Sequence, residues 1–412
     1  MKKIELLAPA GDLNKLYTAI DYGADAVYLG GESFGLRKAS KNFTIENIKK
    51  GVEYAHARGK KVHVTMNIIP HEDDIVGVEE YAKQLEEAGV DAVIVSDPGM
   101  FMRIKEATNI DIHISTQGSV TNSSTVNFWY KMGAKRVVLA RELSLEEIRK
   151  IVSESQNKIE IETFAHGAMC MSYSGRCLLS NYMTGRDANQ GDCSQACRYK
   201  YYLVEEKRPG EYFPIEEHEE GSFILNSKDL SMIEHIDDLI ESGIASLKIE
   251  GRVKSEYYLA TVIRSYRMAI DAYYADPENY KFDSLLLDEI KKVSHRDFTT
   301  GFFYGKANED SQVYTDNSYI RGYDFVGIVL EYDKETKLAK VEQRNRIFKG
   351  ESVEIFGPSV KHFSQKLDYM TDEKGVEIEV ANKAKQIFYV KLDQDVEPGY
   401  LMRKEIWEIQ LL

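Results

Sequence analysis

Over its first 250 residues the chain alternates short apolar runs with amphipathic stretches, and this alternation limits the fold more than any other feature. The runs are KIELLAPAG, ADAVYLGGE, KKVHVTMNI, VDAVIVSDP, IDIHISTQG, AKRVVLARE, KIEIETFAHG and IASLKIEGR. They are rich in β-branched residues and nearly continuous in apolar character, as parallel strands covered on both faces are. Helical stretches lie between them, and several end on glycine (Gly23, Gly59, Gly89, Gly133, Gly243), a common helix stop. Eight β-then-α units predict a (β/α)8 TIM-like barrel, provided that the cysteine-bearing segment is an insertion after the seventh strand. An open doubly wound sheet is the competing architecture.

The predicted barrel spans residues 1–280, with the cysteine-rich insertion at about 167–222. Residues 281–321 form a connecting segment that carries DFTTGFFYGK. From 322 to 412 the pattern turns all-β, beginning with a hairpin around DKETK, and predicts a small closed β-barrel domain.

No apolar run reaches the roughly 18 residues of a membrane helix. The opening MKKIELLAPAGD lacks the long apolar core of a signal peptide, so a cytoplasmic address without membrane contact is expected. The net charge of −14 argues against indiscriminate nucleic-acid binding. It leaves room for a local basic patch. Residues 321–412 carry 15 Lys+Arg against 17 Asp+Glu, a net of −2, so most of the negative charge lies in the barrel half.

All four cysteines, Cys170, Cys177, Cys193 and Cys197, fall in CMSYSGRCLLSNYMTGRDANQGDCSQACR. A reducing compartment disfavours disulfides. The spacing C-x6-C-x15-C-x3-C matches neither the paired zinc knots nor the ferredoxins. Four thiolates still meet the ligand count of a tetrahedral zinc ion or of a [4Fe–4S] cluster. Metal or iron–sulfur ligation ranks first on these grounds, structural zinc second and a thiol nucleophile third. Arg176, Arg186 and Arg198 lie among the thiols and suit either charge compensation or an anionic substrate.

In a β/α barrel the C-terminal strand ends face the site. Here those ends carry Asp12, Glu32, Arg37, Asn67, Asp97, Gln117, Arg141, Glu142, His166, Lys228, Asp229, Glu250 and Arg252. Loops are polar in any case. Lys248, Glu250 and Arg252, however, alternate within an otherwise apolar run, where charges either face a cavity or pair. Asp12 reads as a helix N-cap rather than a catalyst. His166, in HGAMC, is either a packed histidine or an acid–base group or ligand beside the thiols. His113 alternates with apolar residues and is expected to point into the barrel. YLGGESFGLR is no dinucleotide fingerprint, and there is no P-loop. The expected catalytic residues are His166, Glu250 and Arg252, and the expected substrate-binding residues are Arg141, Arg176, Arg186 and Lys228.

ELLAPAGD, YLGGESFGLR, HGAMCMSYSGRC, NQGDCSQACR, LNSKDLS and LKIEGRVKS resemble the collagenase-like peptidases of family U-32, over essentially the whole chain. Within that family the chain is most similar to the group that hydroxylates the wobble uridine of tRNA in a prephenate-dependent manner. The resemblance implies a [4Fe–4S] cluster on Cys170, Cys177, Cys193 and Cys197, with zinc as the alternative metal. It further implies tRNA and a small anionic co-substrate such as prephenate as partners, together with an oligomeric or paralogous partner. The product would be 5-hydroxyuridine. The family name implies a second activity, proteolysis dependent on a metal or a thiol, with Glu250 or Glu162 and His166 activating water. Neither HExxH nor G-x-S-x-G occurs in the chain. A purely structural cysteine knot that recruits RNA or protein is a third reading.

Overall fold

The computed structural model describes residues 3–35, 42–156, 158–170, 172–174, 176–198, 202–203, 213–214, 228–305, 319–359 and 361–406. Eight parallel strands close into a barrel: β1 (Glu5–Ala10), β2 (Ala26–Gly30), β3 (Lys61–Met66), β4 (Ala92–Val95), β5 (Asp111–Ile114), β6 (Arg136–Val138), β7 (Glu160–Ala168) and β8 (Ser246–Ile249). Each pairs with the next, and β8 pairs in parallel with both β7 and β1, so no edge is left open. Closure excludes the doubly wound alternative.

Helices α1 (Leu13–Asp21), α2 (Ile45–His56), α3 (Val78–Glu87), α4 (Pro98–Ala107), α5 (Ser123–Met132) and α6 (Leu145–Ser155) follow the first six strands. The short α7 (Ile236–Glu241) precedes β8, and the long α8 (Glu256–Ala275) follows it. Local chemistry sets the helix ends. The Asp12 carboxylate accepts from the Lys15 amide (3.0 Å), which confirms a capping role, and Asp97 does the same for Met100 (2.9 Å). Gly133 ends α5 in the left-handed region at φ 96°, where a side chain would be strained. The large apolar core lies between the strands and this helical ring. No described helix is long and apolar enough to cross a membrane.

Two departures from regular alternation position the site. The segment after β7 leaves the barrel and returns through Asp229–Ser231, which pairs antiparallel with β7. A bulge between Lys248 and Ile249 sets Lys248 beside Phe164 but Ile249 beside His166, so β7 carries one extra residue there.

The second domain is an antiparallel sheet built from β9 (Tyr323–Asp333), β10 (Leu338–Gln343), β11 (Ser352–Phe356), β12 (Phe363–Lys366), β13 (Met370–Thr371), β14 (Ile387–Lys391) and β15 (Leu401–Glu405). Its order is β12-β11-β15-β9-β10-β14-β13, around its own apolar core. The sheet curls enough for the Gln365 amide on β12 to donate to the Lys391 carbonyl on β14 (2.9 Å). The domain is fastened to the barrel by buried charges. Arg403, fully buried, donates to Glu289 (2.7 and 2.9 Å) and Glu354 (2.7 Å), and Lys292 bridges to Glu354 (2.9 Å).

Candidate functional site

The barrel interior is charged at its N-terminal end. Arg136 reaches across from β6 to Glu5 on β1 (2.5 Å) and also binds Glu160 (2.7 Å) and Glu162 (2.9 Å). Glu162 in turn pairs with Lys248 (2.8 Å), whose ammonium lies 4.4 Å from the Tyr28 ring centroid. Burial pushes the Glu162 carboxyl up, but Lys248 and Arg136 outweigh it and hold the group ionised. His63 and His113 meet edge to face (4.7 Å) in the same interior. Burial drives both toward the neutral form, His63 to about 4. His113 therefore faces inward, as its alternation implied. The wider charge network was not read from the sequence, because Arg136 and Glu162 stand in runs that look like ordinary strands. The offsets that betray it are Glu160/Glu162 on one strand and Lys248 on another, all at inward-facing parity.

At the C-terminal mouth the polar groups change character. Arg252, largely buried, donates to the Thr65 hydroxyl at the end of β3 (3.1 Å). A Cβ at Gly30 would lie 2.5 Å from the Arg252 Nη1, so this glycine makes room for the guanidinium. Asn67 donates to Gln117 (2.7 Å) and Ser115 (3.3 Å), which joins the ends of β3 and β5. Arg141, just past β6, stacks its guanidinium on Phe164 (3.9 Å) and donates to the Ala168 carbonyl (2.7 Å). Among the described residues its buried Nε has no hydrogen-bond partner. Asn67 and Gln117 stood at predicted strand ends without an assigned role; their pairing required the barrel to bring β3 and β5 together.

The cysteine segment lies over this mouth. Arg176 reaches the Gln117 carbonyl (3.5 Å), and the Ile69 amide donates to the Asn189 carbonyl (3.3 Å), so the insertion contacts the loops after β3 and β5. Within it, the Ser180 hydroxyl sits 2.9 Å from the Ser194 hydroxyl and accepts from the Ser194 amide (2.9 Å), which ties the helix Leu179–Thr184 to the second cysteine pair. A cleft of about 570 Å³ opens between the insertion and the β5–α5 loop, lined by Ser119, Thr121, Ser172, Tyr173 and Arg176.

Cys170 and Cys193 are exposed, Cys177 and Cys197 half-buried, and no disulfide joins them. The Gln195 amide donates to the Cys193 sulfur (3.4 Å). Among the described residues, the set that brings three ligand atoms within 4.8 Å of one another is Glu289, Glu354 and His362, not the thiols. A single zinc ion with bonds of about 2.3 Å would hold its sulfurs about 3.8 Å apart. No three of the four thiols come that close, so they do not stand as the ligands of a single closed zinc site do. The Glu289 set is already neutralised by Arg403, Lys292 and Arg264.

The expected site residues do not all converge. Arg141, Arg176 and Arg252 stand around the mouth. Arg186 is exposed and pairs with Asp192 inside the insertion (2.8 Å). Lys228 is half-buried at the point where the chain returns to the barrel. Glu250 is half-buried, and its amide donates to the His166 carbonyl (2.8 Å). His166 differs most from its expected setting. Beyond the bulge its ring turns outward, among Tyr258, Tyr266 and Phe298, with Nδ1 3.4 Å from the Tyr266 hydroxyl. Burial holds it neutral, down to about 3. Glu162 and His166 thus occupy opposite faces of β7 and are not brought together as a water-activating pair. Arg37 and the Arg198 side chain lie outside the described residues.

Comparison with known proteins adds an independent line. A family model described as peptidase family U32 matches residues 11–313, and one described as the peptidase family U32 C-terminal domain matches residues 321–403. The chain is 46% identical to "tRNA hydroxylation protein P1" of Bacillus subtilis, over 98% of this chain and 95% of that protein. It is 38% identical to "tRNA hydroxylation protein P" of Escherichia coli, over 98% and 96%. It is also 31% identical to a protein named "Collagenase" from Porphyromonas gingivalis, over 96% of each.

Proposed function

The chain belongs to peptidase family U32, and from that premise we propose that it is an enzyme that hydroxylates a uridine of tRNA, the wobble uridine, to 5-hydroxyuridine. The observation that carries this reading is the near full-length similarity to proteins named for tRNA hydroxylation, combined with a thiol-bearing insertion seated over the barrel mouth. Cys170, Cys177, Cys193 and Cys197 would hold a [4Fe–4S] cluster. Such a cluster supplies one-electron chemistry when bound. No three of the four thiols lie within 4.8 Å of one another, which weighs against a single zinc ion.

The chain's own residues then bind and orient. Arg141, Arg176 and Arg252 place three guanidinium groups around the mouth, suited to a small anionic co-substrate such as prephenate. The Arg141 Nε, without a partner among the described residues, is the donor best placed to bond a carboxylate oxygen. Asn67, Ser115 and Gln117 offer amide and hydroxyl groups of the kind that read the edge of an extruded base. Tyr173, 44% exposed at the cleft, offers a face for stacking.

The collagenase relative favours proteolysis as a second reading. His166, the base that reading needs, is buried against α8, which weighs against it.

The decisive experiment is nucleoside mass spectrometry of tRNA from a strain lacking this protein. Loss of 5-hydroxyuridine, restored by the wild type but not by Cys177→Ala, is expected. Unchanged 5-hydroxyuridine in the deletion strain would sink the proposal. Anaerobically purified protein should be brown and carry iron; gelatin cleavage by colourless, iron-free protein would instead favour the second reading.

A further inference from the structure

The barrel mouth accounts for chemistry but not for how a chain with net charge −14 retains a polyanion. The C-terminal domain holds a second cleft, of about 460 Å³, lined by Glu335, Thr336, Lys337, Leu338, Tyr369 and Lys391. It lies beside the turn between β9 and β10, on the flank where Leu338 pairs with Lys391. We infer that this cleft docks RNA, with Lys337 and Lys391 on backbone phosphates and Tyr369 stacked on an unpaired base. The inference rests on the tRNA reading above and names the surface by which that substrate is held.

Three observations carry it. The first is charge. Lysines elsewhere on the hairpin are tied, Lys340 to Glu331 (2.7 Å) and Lys334 to Asp395 (3.9 Å). Among the described residues neither Lys337 nor Lys391 has a carboxylate partner, and both are exposed. Glu335 is the one carboxylate lining the cleft. Two cations without a carboxylate partner attract phosphate, even on an acidic protein.

The second is backbone conformation. Lys337 occupies the left-handed region at φ 59°, where glycine or asparagine is the cheaper choice. The Leu392 amide donates to its carbonyl (3.0 Å), so the turn is fixed in that pose. The third is the exposed ring. Tyr369 is 42% exposed at the cleft wall, and an aromatic face beside paired cations is the usual platform for single-stranded bases.

Placement fits a long partner rather than a small anion. β10 runs from the cleft at Leu338 to Gln343, and the next residue, Arg344, pairs with Glu256 at the start of α8 (3.2 Å). That helix begins four positions after Arg252 of the mouth. A six-residue strand covers about 20 Å, so a ligand reaching from the cleft to the point where Arg344 meets α8 must span about that distance. An RNA stem does; a nucleotide or a metabolite does not.

The test is fluorescence anisotropy with the full-length protein and an unmodified tRNA transcript between 50 and 200 mM salt. Removing two phosphate contacts with Lys337→Ala/Lys391→Ala should lower the slope of log K against log salt by about 1.4 to 1.8. Tyr369→Ala should weaken binding about tenfold with no change of slope, and Tyr369→Phe should restore it. Lys334→Ala, which removes a paired lysine next to the cleft, is the control and should leave both unchanged. Wild-type affinity and slope in the double variant and in Tyr369→Ala would overturn the cleft while leaving the tRNA reading intact. A wild-type protein that binds no tRNA, or that binds an acidic peptide there instead, would overturn both.

Discussion

Arg136 offers the sharpest test of how the barrel is held. Its side chain is 4% exposed and neutralises three carboxylates, of which Glu162 is 1% exposed. Replacing it with methionine keeps most of the volume but leaves Glu162 with Lys248 alone, and leaves Glu5 and Glu160 facing each other inside the barrel. Breaking a buried pair by removing one partner costs about 3–5 kcal/mol, against under about 1 kcal/mol for an exposed pair. The expected loss for Arg136→Met is therefore about 3–5 kcal/mol at pH 8. Lowering the pH lets the abandoned carboxyls take up protons, so the deficit should shrink toward pH 5. A second change, Glu5→Gln, should recover part of it at pH 8, because it removes a carboxylate that Arg136 neutralised and leaves the Glu162–Lys248 pair intact. Urea titration followed by Trp129 fluorescence and far-UV circular dichroism reads the barrel transition at both pH values. A loss under about 1 kcal/mol, or one independent of pH, would refute the idea that these charges are desolvated.

Four further outcomes follow from the same geometry. Because burial holds His63 near 4 against about 6.5 in an unfolded chain, the unfolded state binds more protons between those values. Its contribution, about 3 kcal/mol, is complete above pH 6.5 and is lost as the pH falls to 4; thermal melts of His63→Gln should be flatter across that window than those of the wild type. Gly30→Ala places a Cβ 2.5 Å from the Arg252 Nη1 and should cut hydroxylation by about 100-fold with little change in melting temperature. Cys177→Ala should lower the iron content of anaerobically purified protein in step with its activity. Arg403→Met leaves Glu289 and Glu354 short of a cation at the domain contact and should sharply raise the rate of limited proteolysis between residues 281 and 321, with the barrel core still protected.

Much of the architecture was legible in the residues because it rests on local and periodic signals. Near-continuous β-branched runs separated by capped helices specify strands that must be buried on both faces, and eight of them close. The Asp12 cap, the glycine stop after α5 and the place of the cysteine insertion follow from the same short-range rules. Side-chain direction near the site was not legible. Strict alternation sets His166 on the face of Glu162 and Phe164, yet the extra residue at the bulge turns it outward onto Tyr266. Alternation likewise grouped Lys248, Glu250 and Arg252, whereas β8 ends at Ile249 and only Lys248 stays inside. Sequence by itself determined which elements form and in what order, since those depend on neighbours a few residues away. Only the tertiary structure decided which charges meet, because Arg136 finds Glu5 across 131 residues of chain and Arg252 finds Thr65 across 187. Closing the barrel creates those contacts, and no local pattern encodes them.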